Sequence, residues 1–424
     1  MYCGSCLRDN AMATELKTRG HDVLLLPVYT PTLTDEPNVS NDHVVLGGIS
    51  AYLEQYVPVF RKTPRWLDRV WDSKTALNLA TRRSISTNPK MLGEMTVSVL
   101  KGESGFQRKE IDKFIDWVKD EAPPDVVNLP YTLLLGLAEP IKKALRVPIF
   151  CTLQGEDLFL DNLQEPYRTQ SLDLIRDHLR HVDLFLSVSE YYAGFMSRYL
   201  GVPREKVRIV PIGINPEGFE LRNDRGGPFT VGFLGRIAPE KGLRVLAEAY
   251  RILRQSGELS EARLEAAGYM AADCKPYLED IQKSLKDAGL ENEFHYRGVL
   301  DRAEKIAFLQ TLDVMSMPAT YDEPKGVTLL EAMACGIPLV QPRRGAFTEI
   351  VENTGGGLLV QPDDPRSLAD GILKIAHDRQ LATELSANGF RGVREHYTAA
   401  HMADKVLEAY ESVICPTPSI PAMI

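Results

Sequence analysis

The chain has 424 residues, 44% of them apolar and 25% charged, with a formal charge of −9. That length accommodates two or three domains with their own cores, and the acidic balance argues against general nucleic-acid binding, which needs basic side chains to displace counterions. No apolar run approaches the roughly 20 residues that span a bilayer, the opening MYCGSCLRDN lacks the regions of a signal peptide, and six dispersed cysteines make no disulfide framework, so a reducing, cytoplasmic setting is expected.

Leu7 to Arg19 reads as a helix ending at Gly20, and Asp22 to Pro27 as an apolar strand. Cys3-Gly4-Ser5-Cys6 ahead of the helix has the spacing of a thiol-redox pair. A chain of this length with no preceding strand favours a tight loop instead. Pro31 to Arg108 has weak periodicity, with a strand at Val44 to Leu46 and helices around Ala51 to Phe60 and Thr75 to Thr81, and reads as an arm or lid. Between Phe60 and Lys90, eight basic residues meet two acids, with Phe60, Trp66 and Trp71 interleaved. This is read first as a solvated helical face with its aromatics turned inward. The alternative is a surface for an anionic acceptor or for peripheral contact with lipid head groups.

Regular alternation follows. Ile111 to Lys119 is helical, Asp125 to Asn128 a strand, Leu133 to Leu145 a helix, and Pro148 to Leu153 a strand running into Gly155-Glu156-Asp157. Helix Ser171 to His181, strand Leu184 to Val188, helix Tyr191 to Leu200 and strand Val207 to Pro211 complete a first domain, 1–214, before a glycine-rich linker over 215–228. A second alternating domain over 229–394 opens with strand Thr230 to Leu234, the loop Gly235 to Lys241 and helix Leu243 to Gln255. Its further strands are Arg263 to Ala266, Glu293 to Tyr296, Val314 to Met317, Leu339 to Val340 and Gly357 to Val360. Helices Pro365 to His377, Gln380 to Gly389 and Met402 to Val413 follow, and 415–424 reads as a disordered tail. Alternation of this kind argues for an α/β fold of doubly wound parallel sheets, whose ligands bind outside the carboxyl ends of the strands.

The most informative stretch is Tyr321 to Pro338, YDEPKGVTLLEAMACGIP. Pro324 and Gly326 keep Glu323 in a loop, and Val327 to Cys335 reads as a helix stopped at Gly336, with Glu331 in its first turn. A helix start of this kind favours an anionic ligand. Thr328 and Glu331 also have the spacing of a capping box, in which each would merely satisfy a backbone N–H. A second basic segment, Gly235-Arg236-Ile237-Ala238-Pro239-Glu240-Lys241-Gly242, follows directly on a strand. Arg236 and Lys241 suit a diphosphate, though a basic pair in a turn is commonly just solvated.

The pattern E-P-x-G-x-x-x-x-E-A-M-A-x-G-x-P from Glu323, with G-R-x-x-x-x-K-G from Gly235, resembles the retaining, nucleotide-sugar-dependent glycosyltransferases of family 4, and the likeness runs from about Leu16 to Glu411. It implies two Rossmann-like domains of GT-B type facing across a cleft, with donor on the second, acceptor on the first, and a C-terminal helix, 395–414, returning to the first. It implies Arg236 and Lys241 as a diphosphate clamp, with the backbone around Thr328 and Leu329 at the phosphates and Gly326 and Val327 at phosphate and sugar. Glu331 falls at the ribose hydroxyls and Glu323 at the donor sugar as the catalytic carboxylate, whose role as stabiliser or covalent nucleophile stays open. Gly4 falls in the glycine-containing loop near donor phosphates and acceptor. Gln154 and Asp157 correspond to a His-Gly-x-Asp segment on the acceptor side, but Gln154 cannot take a proton near neutral pH. A front-face mechanism, with the leaving phosphate oxygen accepting the acceptor's proton, requires no base there. Lys325 stands where the family is often apolar. Members of the family begin with a strand before the helix read here at Leu7 to Arg19, so the first strand of the sheet is expected to be missing or the sheet to be built differently.

The eight histidines are dispersed, and no ligand spacing points to a metal, in keeping with a family that usually needs none, so no cofactor is expected beyond the nucleotide-sugar substrate. The dinucleotide fingerprint G-x-G-x-x-G and the phosphate loop of ATPases are both lacking. The expected partners are a nucleoside-diphosphate sugar and a carbohydrate, lipid-linked or small-molecule acceptor. The competing readings are a sugar-nucleotide-binding protein without catalysis and another GT-B enzyme such as a sugar-nucleotide epimerase.

Overall fold

The computed structural model describes residues 4–42, 44–56, 89–120, 123–222, 226–259 and 261–415. The basic stretch Phe60 to Lys90, the helix expected at Thr75 to Thr81, Cys3, the middle of the expected linker and the tail from Pro416 lie wholly or almost wholly outside the described residues. The chain divides into two compact units, one formed by Met12–Pro211 with the chain from Ala403, the other by Ile212–Met402 with Met1–Ala11.

The described chain opens with helix α1 (Gly4–Thr18), then α2 (Gly48–Tyr56), α3 (Pro89–Leu100) and α4 (Arg108–Asp120). The expected strand at Asp22 to Pro27 is replaced by isolated bridges, Leu25 with Ser40 and Val28 with Val45. Pro27 offers no N–H to continue a ladder, and Tyr29, at φ 65°, ends the extended run. The strand read at Val44 to Leu46 likewise shrinks to Val45, because Leu46 has φ 52°.

In the first unit a four-stranded parallel sheet has the order β1 (Val127–Leu129), β2 (Ile149–Leu153), β3 (Leu184–Ser187) and β4 (Val207–Ile209). Between its strands run α5 (Ala138–Leu145), α6 (Asp157–Asp161), α7 (Tyr167–His178) and α8 (Glu190–Leu200). All five residues of β2 are buried, as expected of a strand covered on both faces. The helix read from Leu133 starts later than expected. Thr132–Leu137 winds as a 3-10 turn, because Pro140 cannot donate to the carbonyl of Gly136 and the α-helical ladder begins only beyond it.

The second unit holds six parallel strands in the order β10-β9-β8-β5-β6-β7. In chain order they are β5 (Phe229–Leu234), then α9 (Leu243–Ser256), β6 (Ala262–Ala267), α10 (Lys275–Asp287), β7 (Phe294–Tyr296), α11 (Arg302–Leu309), β8 (Val314–Met315) and α12 (Val327–Ala334). Strand β9 (Leu339–Pro342), α13 (Gly345–Thr354), β10 (Gly357–Val360), α14 (Pro365–His377) and α15 (Arg379–His396) follow. The core is built from Val231, Phe233, Leu264, Val314, Leu339 and the apolar faces of the covering helices. The chain winds one way from β5 through β6 to β7 and the other way from β8 through β9 to β10, so the order reverses where β5 meets β8. In open sheets of this kind ligands bind outside the carboxyl ends of the strands at such a switch point.

The last helix, α16 (Ala399–Ile414), has most of its length in the first unit. There Asp404 accepts from Arg19 at 2.5 Å and Tyr410 meets Phe150 edge-on at 4.6 Å.

Candidate active site

The loop after β5 is shaped by close backbone packing. Pro239–Lys241 forms a single 3-10 turn, the N–H of Thr320 donates to Glu240 O at 3.0 Å, and Gly242 begins α9 at φ 79°. A Cβ on Gly242 would stand 1.8 Å from Pro318 O, so only glycine lets the two switch-point loops approach this closely. Lys241 is thereby delivered to the loop after β8. Its ammonium donates to Glu323 Oε2 and to Tyr321 Oη, the latter at 2.8 Å, and lies 4.9 Å from the centre of the Tyr321 ring. Tyr321 Oη also donates to Glu323 Oε2.

Glu323 is 5% exposed. Burial alone would raise its carboxyl, but the Lys241 charge and hydrogen bond, the Tyr321 hydroxyl and the charge of Lys325 outweigh it and hold the group below the usual carboxylate range. Its backbone is pinned from behind by α13, where Ala346 N–H donates to Glu323 O at 2.8 Å. Gly345, at φ 53°, leaves room for that bond. A Cβ there would come within 2.5 Å of Glu323 O and 2.8 Å of its N.

Helix α12 follows at once. Gly336 and Ile337 donate to Met333 O and Ala332 O, at 2.8 and 3.0 Å, closing the helix as a Schellman motif. At its start the N–H groups of Leu329 and Leu330 both turn back to Gly326 O, at 3.0 and 3.1 Å. Leu329, expected at the phosphates, therefore has its N–H committed and its side chain wholly buried. Among the described residues no acceptor is recorded for the N–H groups of Val327 and Thr328. The capping box does not form, since the start of α12 has no side-chain cap and Thr328 Oγ1 points to Met317 Sδ, 3.9 Å away. Nor does Glu331 sit in the first turn. It is the fifth residue of α12, one turn further in, and it accepts from Lys305 Nζ of α11 at 2.5 Å, both side chains being more than nine-tenths buried.

Other expected residues are placed differently. Arg236 turns to Glu240, four residues on, and keeps 42% of its side chain exposed, while Lys241 goes to Glu323. The clamp pair is thus split between the surface and the interior. Lys325 donates to Ser5 Oγ at 3.0 Å, and a Cβ on Gly4 would lie 3.8 Å from Val327 Cγ2. Gly4 and the start of α12 are neighbours.

In the first unit, Gln154 is 3% exposed; its Nε2 donates to Pro130 O at 2.7 Å, and its Oε1 is buried without a partner. Beside it Glu156 accepts from Thr132 N–H and Oγ1, from Gln154 N–H and from Tyr192 Oη, at 3.0 to 3.3 Å. Burial, only partly offset by these donors, raises its carboxyl. Tyr192 Oη also lies 2.7 Å from Asp157 Oδ1, and Asp157 is likewise raised by burial against that hydrogen bond. Gln154 and the half-buried Asp157 thus belong to one polar cluster, with the buried Glu156 as its most connected member.

Sequence reasoning did not single out Tyr321, Lys305, Gly345 or Glu156. Glu156 stands directly beside Asp157, and Tyr321 two positions before Glu323. The partnership of Lys305 with Glu331 carries no local signal, since it joins residues 26 positions apart on separate helices.

The fold and the switch-point loops define a two-domain α/β protein of GT-B type. Residues 219–391 match the family Glycosyl transferases group 1, and 99–217 match Glycosyltransferase Family 4. Together these cover most of the chain, which belongs to the group 1 glycosyltransferases of family 4. It is 28% identical over 240 residues to an uncharacterized glycosyltransferase of Methanocaldococcus jannaschii, covering 53% of this chain and 59% of that protein. Over 303 residues it is 27% identical to the 2-deoxystreptamine glucosyltransferase of Streptomyces kanamyceticus, covering 68% of this chain and 72% of that protein. The match therefore spans less than two thirds of the first relative and rather more of the second. Among solved structures, Anabaena HepE in complex with UDP superposes with a TM-score of 0.64 at 16% identity, over 92% of this chain and all of that one. Among the described residues no helix is long and apolar enough to cross a membrane, and no group of three or more His, Cys, Asp or Glu side chains could hold a metal ion.

Proposed function

We propose that the protein transfers a sugar from a nucleoside-diphosphate sugar to an acceptor, with retention of anomeric configuration. The observation that carries this is the buried Glu323, kept ionised by Lys241 and Tyr321 at the switch point, one loop away from the uncommitted N–H groups of Val327 and Thr328. In this reading the helix start and Lys241 take the diphosphate, assisted by Arg236 once it leaves Glu240. Glu331, steadied by Lys305, receives the ribose hydroxyls. The ionised Glu323 faces the sugar and stabilises positive charge as the bond between the anomeric carbon and the leaving phosphate oxygen breaks. The acceptor oxygen bonds to the same face of that carbon, and its proton passes to the leaving phosphate oxygen. No divalent metal is required, because the ammonium and the helix terminus supply the positive charge.

The relatives' names support a hexosyl donor and a hydroxylated acceptor, carbohydrate or lipid-linked. The test is a transfer assay with UDP- and GDP-hexoses and a panel of sugar acceptors, with chelator present, reading anomeric configuration by NMR. Product of the donor's own configuration, lost in Glu323→Gln, supports the proposal. Inverted product, a donor converted without any acceptor, or full activity in Glu323→Gln would overturn it.

A further inference from the structure

Arg8, on the first turns of α1, has a side chain with no exposed surface, yet only part of its guanidinium is used. Nη1 donates to Asp9 Oδ1 at 2.6 Å, while Nε and Nη2 are buried and make no hydrogen bond. Nε and Nη2 lie on the same edge of the planar group, the edge that grips two oxygens of a phosphate or carboxylate at once. Asp9 fixes the opposite side and so orients the unused fork. Donors left dry in the interior are unfavourable and persist where a partner satisfies them.

The position of the fork says where such a partner comes from. Arg8 follows Gly4 by four residues and Ser5 by three, so the three share one face of α1. That face adjoins the start of α12, since Ser5 Oγ holds Lys325 Nζ at 3.0 Å and the Gly4 Cβ position lies 3.8 Å from Val327 Cγ2. The groups proposed for the donor diphosphate, Lys241 and the Val327 and Thr328 N–H groups, are supplied by the loops after β5 and β8 and not by α1. We propose that Arg8 binds an oxyanion, a phosphate or carboxylate, borne by the acceptor, so that the enzyme selects acceptors carrying such a group. This rests on the transferase reading for the word acceptor; the anion site itself does not.

The experiment uses the full chain with its donor site saturated by UDP or GDP, whichever raises the melting midpoint. Inorganic phosphate and acetate are then titrated at ionic strength matched with sodium chloride. Wild type is expected to gain several degrees with one of the two anions and to show slowed hydrogen exchange over Gly4–Ala11. Arg8→Lys and Arg8→Gln are expected to lose at least tenfold in affinity for that anion while keeping the nucleotide shift. An anion response unchanged in Arg8→Gln, or absent from wild type, overturns the proposal. A nucleotide shift lost together with the anion shift in Arg8→Lys also overturns it, by assigning the fork to the donor. Should both variants fail to fold, exchange in wild type decides, and unchanged exchange over Gly4–Ala11 rejects the site. If neither nucleotide binds but an Arg8-dependent anion response remains, the transferase reading fails and the anion site stands.

Discussion

Lys305 Nζ and Glu331 Oε1 meet at 2.5 Å across two helices, with less than a tenth of either side chain exposed. Removing Lys305 takes from the buried Glu331 the cation it is paired with, and breaking a buried pair in this way costs about 3–5 kcal/mol. Lys305→Met is expected to lose stability of that order in urea denaturation, and Lys305→Met with Glu331→Leu to lose clearly less than the two single changes added. Strict additivity would mean that the pair does not interact.

The balance at Glu323 predicts a pH dependence. Its depressed carboxyl contributes stability that is present above its unfolded value, near 4.3, and lost as pH falls through the lower folded value. In Lys241→Met burial becomes the dominant influence and the carboxyl rises. The acid limb of kcat/KM should therefore lie below the ordinary carboxylate range in wild type and move upward in the variant. The stability gap between the two proteins should narrow as pH is lowered. An acid limb at the same pH in both would show that Lys241 does not govern Glu323.

Gly345→Ala places a methyl group 2.5 Å from Glu323 O on a backbone at φ 53°. The left-handed conformation costs about 1–2 kcal/mol for an alanine, and relief of the contact must shift the Glu323 loop. Catalysis is expected to fall by more than the melting temperature suggests, with kcat reduced tenfold or more, since small displacements of a reacting group are costly. An unchanged kcat would separate α13 from the positioning of Glu323.

Arg236 makes the opposite case. Its ion pair with Glu240 is half-exposed and formed within one turn, so Arg236→Ala should change stability by no more than about 0.5 kcal/mol. If it reaches the diphosphate, the same variant should lose much of the nucleotide-induced stabilisation. That stabilisation is about 2.7 kcal/mol in wild type with ligand at 100 times its dissociation constant. Thermal melts with and without UDP or GDP read both quantities together.

Much of this architecture was legible because alternation of buried strands with amphipathic helices is a local pattern. Strand Thr230 to Leu234 and helix Pro365 to His377 needed almost no revision. The segment at Asp22 failed because an apolar run does not reveal that Pro27 lacks a donor where a ladder would need one. Around α12 the spacing of Thr328 and Glu331 leaves a local cap open beside a ligand-facing role, and neither reading shows that Glu331 is paired with a lysine from a separate helix. Residue types at the switch point could be read directly; their pairings, Lys241 with Glu323 and Arg236 with Glu240, depend on how closely two loops pack around Gly242.

The grouping of Met1–Ala11 with Ile212–Met402 bears on how this protein can be recombined. Lys241, Lys305, Glu323, Val327 and Glu331 arrive on one continuous run of chain, which invites exchange of that run between relatives to transplant the proposed donor site. A crossover made only at Ile212 would leave Ser5 and Arg8 with the old parent and strip Lys325 of its hydrogen-bond partner. Chimaeras that inherit the opening segment together with the later one keep that contact, so a working hybrid calls for two seams in the gene.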